Sequence, residues 1–202
     1  MSDAEAAPGG PGIEPTWSSS AKDIVGASLG PARLWFTIGH GIVNEVYYPR
    51  IDTPQIRDLG FIVADDRGFW REVKRLRAYT LETPAPGIPA LRIVHVHERF
   101  TLTLRIVGDP RRDALLIELT LQGEAALRPY ALLAPHVGGT GHDNVAEVAD
   151  YGGRRVLCAG RPSGGSTCLA LAAVDEAQRD AWGRASAGFV GTSDGWQDFD
   201  RH

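Results

Sequence analysis

Phe100-Thr-Leu-Thr-Leu-Arg-Ile106 and, shortly after it, Leu115-Leu-Ile-Glu-Leu-Thr-Leu-Gln122 decide the fold class. In the first, Phe100, Leu102, Leu104 and Ile106 fall on one side and Thr101, Thr103 and Arg105 on the other. In the second, Leu115, Ile117, Leu119 and Leu121 oppose Glu118, Thr120 and Gln122. A period of two with one polar face is what an antiparallel sheet needs when it covers a core on one side only.

Working outward, turn signals punctuate the chain at Asp65-Asp-Arg-Gly68, Pro86-Gly87, Gly108-Asp-Pro110, Gly152-Gly153 and Gly164-Gly165. Their spacing of about 8 to 15 residues is the rhythm of many short strands. Only Val174 to Arg184 has the Ala, Glu, Gln and Arg content of a short helix, with Gly183 as its stop. The basic run Arg71 to Arg77, alternating with Val73 and Leu76, reads as the wet face of a strand. The pattern predicts an all-β, two-layer domain with one core and leaves sandwich, jelly roll and barrel open.

The 202 residues carry a formal net charge of -4, so the clustered positive charge expected of a nucleic-acid or anionic-membrane binder is missing. No apolar run reaches the roughly 18 to 20 residues of a membrane span. Residues Met1 to Gly12, rich in Ala, Pro and Gly, read as a flexible leader. They carry no basic n-region ahead of an apolar segment, and the compartment stays open. Cys158 and Cys168 flank a turn-rich segment and are expected to be buried free thiols, since two cysteines make no disulfide framework.

Several polar groups invite a chemical reading. Asp65/Asp66 and Asp109/Asp113 sit beside Gly or Pro, where Asp caps local backbone, and are expected to be structural. His95 and His97 share a strand face as cupin metal ligands do, with Glu98, His136 or His142 as completions; exposed or edge-strand histidines are the expectation. Asp143 and Asn144, in the Gly-rich loop His136 to Asn144, offer oxygens of the kind calcium takes, but without the EF-type spacing, so no cofactor is expected. Trp17, Trp35, Trp70 and Trp196 raise the question of sugar stacking; Trp35, beside Leu34 and Phe36, reads as core.

The densest polar segment is Leu34-Trp-Phe-Thr-Ile-Gly-His-Gly-Ile-Val-Asn-Glu-Val-Tyr-Tyr-Pro-Arg-Ile-Asp52, followed by Gln55-Ile-Arg-Asp-Leu-Gly-Phe-Ile-Val63. Together with Ile13-Glu-Pro-Thr-Trp-Ser-Ser-Ser-Ala-Lys-Asp-Ile-Val-Gly26, Asp109-Pro-Arg-Arg-Asp113, Ala134-Pro-His136, Asp150-Tyr-Gly-Gly153 and Gly191-Thr-Ser-Asp-Gly-Trp-Gln-Asp198, it resembles the N-terminal domain of bacterial glucoamylases and glucodextranases of glycoside hydrolase family 15. The resemblance runs from about Ala7 to the C-terminus. It implies a large antiparallel two-sheet β-sandwich, a supersandwich shaped like galactose mutarotase domains, packed beside an (α/α)6 catalytic barrel.

Inverting glycoside hydrolysis needs two carboxyl groups roughly 6.5 to 9.5 Å apart. In the resembled family both belong to the barrel, so no catalytic residue is expected in this chain. Residues 1–12 then form the leader, 13–190 the sandwich and 191–202 the start of a linker. Asn44, Glu45, Tyr47, Tyr48, Arg50 and Trp196 become candidates for the interdomain surface or cleft edge. The expected partners are the chain's own C-terminal catalytic domain and the α-glucan substrate of the parent enzyme. An α-glucan-binding module is the alternative, and a stand-alone mutarotase-like or cupin-like protein using His95, His97 or His136 a weaker one.

Overall fold

Alternation and turn chemistry are realised as thirteen strands and two short helices in the computed structural model, which describes residues 7–163 and 167–201. The chain resolves into two compact units. One comprises Trp17–Ala134; the other joins the N-terminal residues up to Thr16 to the segment from Pro135 onward. The turn expected at Gly164-Gly165 lies outside the described residues.

The unit Trp17–Ala134 holds two sheets. In chain order its elements are β1 (Ile24–Ala27), β2 (Trp35–Gly39), β3 (Ile42–Tyr47), β4 (Ile56–Ala64), β5 (Trp70–Glu72), α1 (Val73–Leu76), β6 (Tyr79–Glu82), β7 (Ala90–His97), β8 (Phe100–Gly108), β9 (Leu115–Gly123) and β10 (Arg128–Pro135). One sheet has the order β1-β2-β3-β4-β10, with β5 also on β4; the other runs β6-β7-β8-β9. This is the expected all-β, antiparallel two-sheet arrangement. Along β8 the alternation is as read: Phe100, Leu102, Leu104 and Ile106 are buried and Arg105 is exposed. From the first sheet Phe36, Ile38, Ile42, Val43, Ile62 and Val63 are buried. Each such side chain contributes about 1.5–3 kcal/mol to folding.

The run Arg71 to Arg77 is not one strand. It begins in β5, turns through α1 and ends at Arg77 in the left-handed region at φ 53°. Val73 and Leu76 stand three apart, a spacing that serves one face of a helical turn, and the turn buries Val73 completely. Lys74 then reaches Asp58 of β4 at 3.0 Å.

The second unit contains a three-stranded sheet, β11 (Val145–Asp150), β12 (Arg155–Gly160) and β13 (Cys168–Ala172), followed by α2 (Gly195–Arg201). The helix expected over Val174 to Arg184 is absent. Val174 instead bridges Asp180 across a tight turn with Gln178 at φ 61°. Asp175 accepts from Arg179 N at 2.9 Å and Asp180 from Trp182 N at 3.1 Å, side-chain bonds that compete with helical ones. Residues 7–13 are held here by Ile13 N, which donates to Val190 O at 3.0 Å, and by packing of Gly10 on Phe189. Both cysteines are free, but the expected burial fails for Cys168, which is exposed on the edge strand β13; Cys158 on the central β12 is half-buried. No helix among the described residues is long and apolar enough to cross a membrane.

Candidate functional site

The dense polar segment folds as the β2–β3 hairpin. Gly39 pairs with Ile42, and the two turn residues His40 and Gly41 both take positive φ, 55° and 74°, which matches the right-handed twist of a two-residue hairpin. The hairpin's polar side chains hold the extended segment Ser18 to Lys22 as a strap. Asn44, fully buried on β3, donates from Nδ2 to Ser19 O at 2.9 Å and Ala21 O at 3.3 Å. His40 Nε2 lies 3.1 Å from Ser19 Oγ.

Glu45 is the electrostatic centre of this arrangement. Its Oε1 accepts from Ser18 Oγ at 2.5 Å, and its Oε2 accepts from Tyr47 Oη at 2.5 Å and Thr37 Oγ1 at 3.4 Å. Lys22 Nζ stands 3.0 Å from Oε2. Burial pushes the carboxyl upward, but the donors Ser18, Tyr47 and Lys22 outweigh it and hold Glu45 below its ordinary range. The same contact, after burial, pushes the Tyr47 phenol well above its usual value. Glu45 is thus a stable anion surrounded by donors, the opposite of a carboxylic acid poised to give up a proton.

The other sequence candidates are spread out. Tyr48 Oη accepts from Arg33 Nη2 at 3.2 Å and its ring lies 5.4 Å from the Arg33 guanidinium. Arg50 is exposed and grips Asp52 through two bonds of 2.9 and 2.7 Å, beside Ile51 at 61 % exposure. Trp196 lies half-buried on α2 in the other unit. That helix is capped by Asp194, whose Oδ1 accepts from Gln197 N at 3.0 Å.

His95 departs from expectation: it is buried, and β7 is an interior strand with neighbours on both sides. Its Nε2 donates to Gly41 O at 2.8 Å, and the Tyr79 ring lies 5.6 Å away. Burial lowers its proton affinity, with the Gly41 carbonyl opposing. His97 turns to other partners, stacking on Phe100 at 5.0 Å and facing Phe69 at 5.5 Å. The two rings therefore close a core rather than a coordination sphere. Asn144 ties its loop together, accepting from Val137 N at 2.9 Å through Oδ1 and donating from Nδ2 to Thr140 O at 2.7 Å and His142 O at 3.0 Å. Among the described residues no group of three or more His, Cys, Asp and Glu side chains is placed to hold a metal.

Of the turn aspartates, Asp65 and Asp109 cap local backbone as expected, whereas Asp113 accepts from Arg33 N at 2.6 Å, far away in sequence. Asp65 accepts from Arg67 N and Phe69 N at 2.9 and 3.0 Å, and Asp109 from Arg111 N and Arg112 N at 2.8 and 3.0 Å. Asp65 also belongs to a network that reading the sequence missed. Arg99 bonds Asp65 at 2.8 Å and Glu124 through two contacts of 2.8 and 2.6 Å, with its guanidinium 4.0 Å over the Phe69 ring. The strap was missed too; its only trace in the sequence is the hydroxyl run Ser18-Ser-Ser20 ahead of Lys22.

Comparison with known proteins places this geometry in context. Residues 7–202 match the family described as glucodextranase, domain N. A glucoamylase from Clostridium sp. (strain G0005) is 30% identical over 159 residues, which is 75% of this chain and 23% of that protein. A bacterial glucoamylase crystallised with acarbose superposes with a TM-score of 0.73 at 28% identity, over 77% of this chain and 24% of its own. The chain thus spans about a quarter of the length of the relatives it matches.

Proposed function

We propose, from the premise that the chain belongs to the glucodextranase domain N family, that it is the non-catalytic N-terminal domain of an inverting exo-α-glucosidase of glucoamylase type. In this role it packs on and supports an (α/α)6 catalytic domain. The observation that carries the reading is the state of the carboxylates in the polar hairpin. Glu45, the acid among the candidate site residues, is part-buried and tied up by Ser18, Tyr47 and Lys22, and none of the partners found for it among the described residues is a carboxyl of the kind a second catalytic group would supply. The length of the relatives supports it as well, since three-quarters of each lies outside the matched region.

The supporting face follows from the same residues. Asn44, Glu45 and Tyr47 fix the strap and stiffen the hairpin. Tyr48 and Arg50, with the exposed Ile51, present the turn that leads out of β3. Trp196, on α2 of the other unit, is a separate candidate for burial against the catalytic domain. The 202-residue chain is therefore expected to release no glucose from maltooligosaccharides and to show no heat beyond dilution when titrated with maltoheptaose. Glucose release abolished by Glu45→Gln would overturn the reading in favour of catalysis. Saturable heat would turn it toward an α-glucan-binding module, for which the shallow groove beside Trp70, lined by Arg71, Glu72 and Arg75, is the place to mutate.

A further inference from the structure

Sheet edges are where one chain recruits another, and proteins blunt them with short strands, proline or charge. Among the described residues nearly every edge here is blunted. Strands β1 and β6 have four residues and β13 five; β10 carries Pro129 and Pro135; β11 carries Glu147 and Asp150. Strand β9 is the exception. It has nine residues in unbroken register with β8, no proline and no bulge, and it is bonded on that side only. Beyond β8, no backbone hydrogen bond of Leu115–Gly123 is found among the described residues. Its inward row Leu115, Ile117, Leu119 and Leu121 stays half-exposed, unlike the buried row of β8 beside it. Its one charge, Glu118, is matched by Arg105 at 2.9 Å.

The geometry points to β9 as a self-association edge, pairing antiparallel with β9 of a second copy about a two-fold axis at Leu119. In that register Ile117 meets Leu121 of the other copy, and aliphatic rows continue across the junction. On the outer face Glu118 meets Thr120 of the other copy, so no like charges stand directly opposite. The contact is isologous and closes at two chains, joining two four-stranded sheets into one of eight. A second copy is favoured over an unrelated peptide because in this register the apolar row of each copy meets the apolar row of the other and Glu118 of each meets the uncharged Thr120. The inference stands on sheet geometry alone and does not depend on the proposed function.

Sedimentation velocity of the 202-residue chain over a micromolar concentration series tests it. A reversible dimer is expected. Thr120 is exposed, so Thr120→Glu leaves the monomer's fold intact while setting a carboxylate against Glu118 of the other copy at two symmetric places. Thr120→Lys sets an ammonium there instead. The dissociation constant should rise about tenfold for the first and fall by up to about tenfold for the second, with both effects shrinking at high salt. A chain that stays monomeric throughout, as it would if β9 were meant for another domain of a longer protein, overturns the proposal. A dimer that ignores both substitutions, or is weakened alike by both, overturns it too. Should Thr120→Glu fail to fold, the tightening by Thr120→Lys decides.

Discussion

Replacing Glu45 by Gln removes a charge while keeping the side chain's volume, which isolates the electrostatics of the strap. The carboxylate accepts from Ser18 and Tyr47 at 2.5 Å each and faces Lys22 at 3.0 Å. A glutamine keeps one acceptor oxygen, but its NH2 turns a donor toward donors already there. Hydrogen bonds to a charged group contribute about 1.5–3 kcal/mol each; Lys22 retains water, so we set the whole cost at the low end, about 2 kcal/mol. For a chain of this size that corresponds to a fall of about 4–8 °C in Tm, read by thermal unfolding followed by near-UV circular dichroism at pH 7. The pH dependence sharpens the test. The folded carboxyl lies below its ordinary 4.5, so Glu45's contribution is complete above that value and drains away as pH falls through the lower folded one. The gap between parent and variant must therefore close on acidification. A Glu45→Gln protein melting within about 1 °C of the parent at pH 7, or a gap unchanged down to about pH 3, would refute the reasoning.

Gly41→Ala should cost about 3 kcal/mol by chemical denaturation, because φ is 74° there and an added Cβ would lie 2.4 Å from His95 Cε1 and 2.9 Å from Tyr79 Cγ, both parts of rigid rings. A loss below about 1 kcal/mol would mean that the hairpin turn is not wedged against His95. Arg99→Met should lower Tm and let the Glu124 carboxyl, now held below its ordinary range chiefly by Arg99, titrate higher. Carboxyl NMR reads this directly, and an unmoved Glu124 would dissolve the network. Arg99→Lys should restore little, since a single ammonium cannot grip two carboxylates and lie over Phe69 together.

How much of this was legible in the sequence depends on the length scale of the signal. The alternation of Phe100 to Ile106 spans enough residues to settle a strand, and the turns at Asp65-Asp-Arg-Gly68 and Gly108-Asp-Pro110 carry their own capping chemistry. Val73 to Leu76 spans one turn, too short for period two and period 3.6 to separate. Val174 to Arg184 has helical composition without an apolar stripe, and there Asp175 and Asp180 tip the balance to turns. Burial of His95 was illegible because it depends on Gly41, distant in sequence, offering its carbonyl to the core. The Arg99 network failed to appear for the same reason: Asp65, Arg99 and Glu124 carry no local pattern that joins them. Among the site candidates the sequence located the polar hairpin but not what it grips, since Asn44 and Glu45 turn to a strap some two dozen residues upstream.

The strap is read in two different ways, and evolution meets two different rules along it. Asn44 recognises main-chain carbonyls at positions 19 and 21, which any residue supplies, so its grip leaves the identity of Ala21 free to drift, while Ser19 is tied separately through its hydroxyl to His40. Glu45 recognises side chains, so Ser18, Lys22 and Tyr47 can change only in concert with it. Among relatives, strand β3 should therefore show an invariant asparagine beside a glutamate that co-varies with the strap, and that contrast separates a fold-holding residue from a tunable one without any assay.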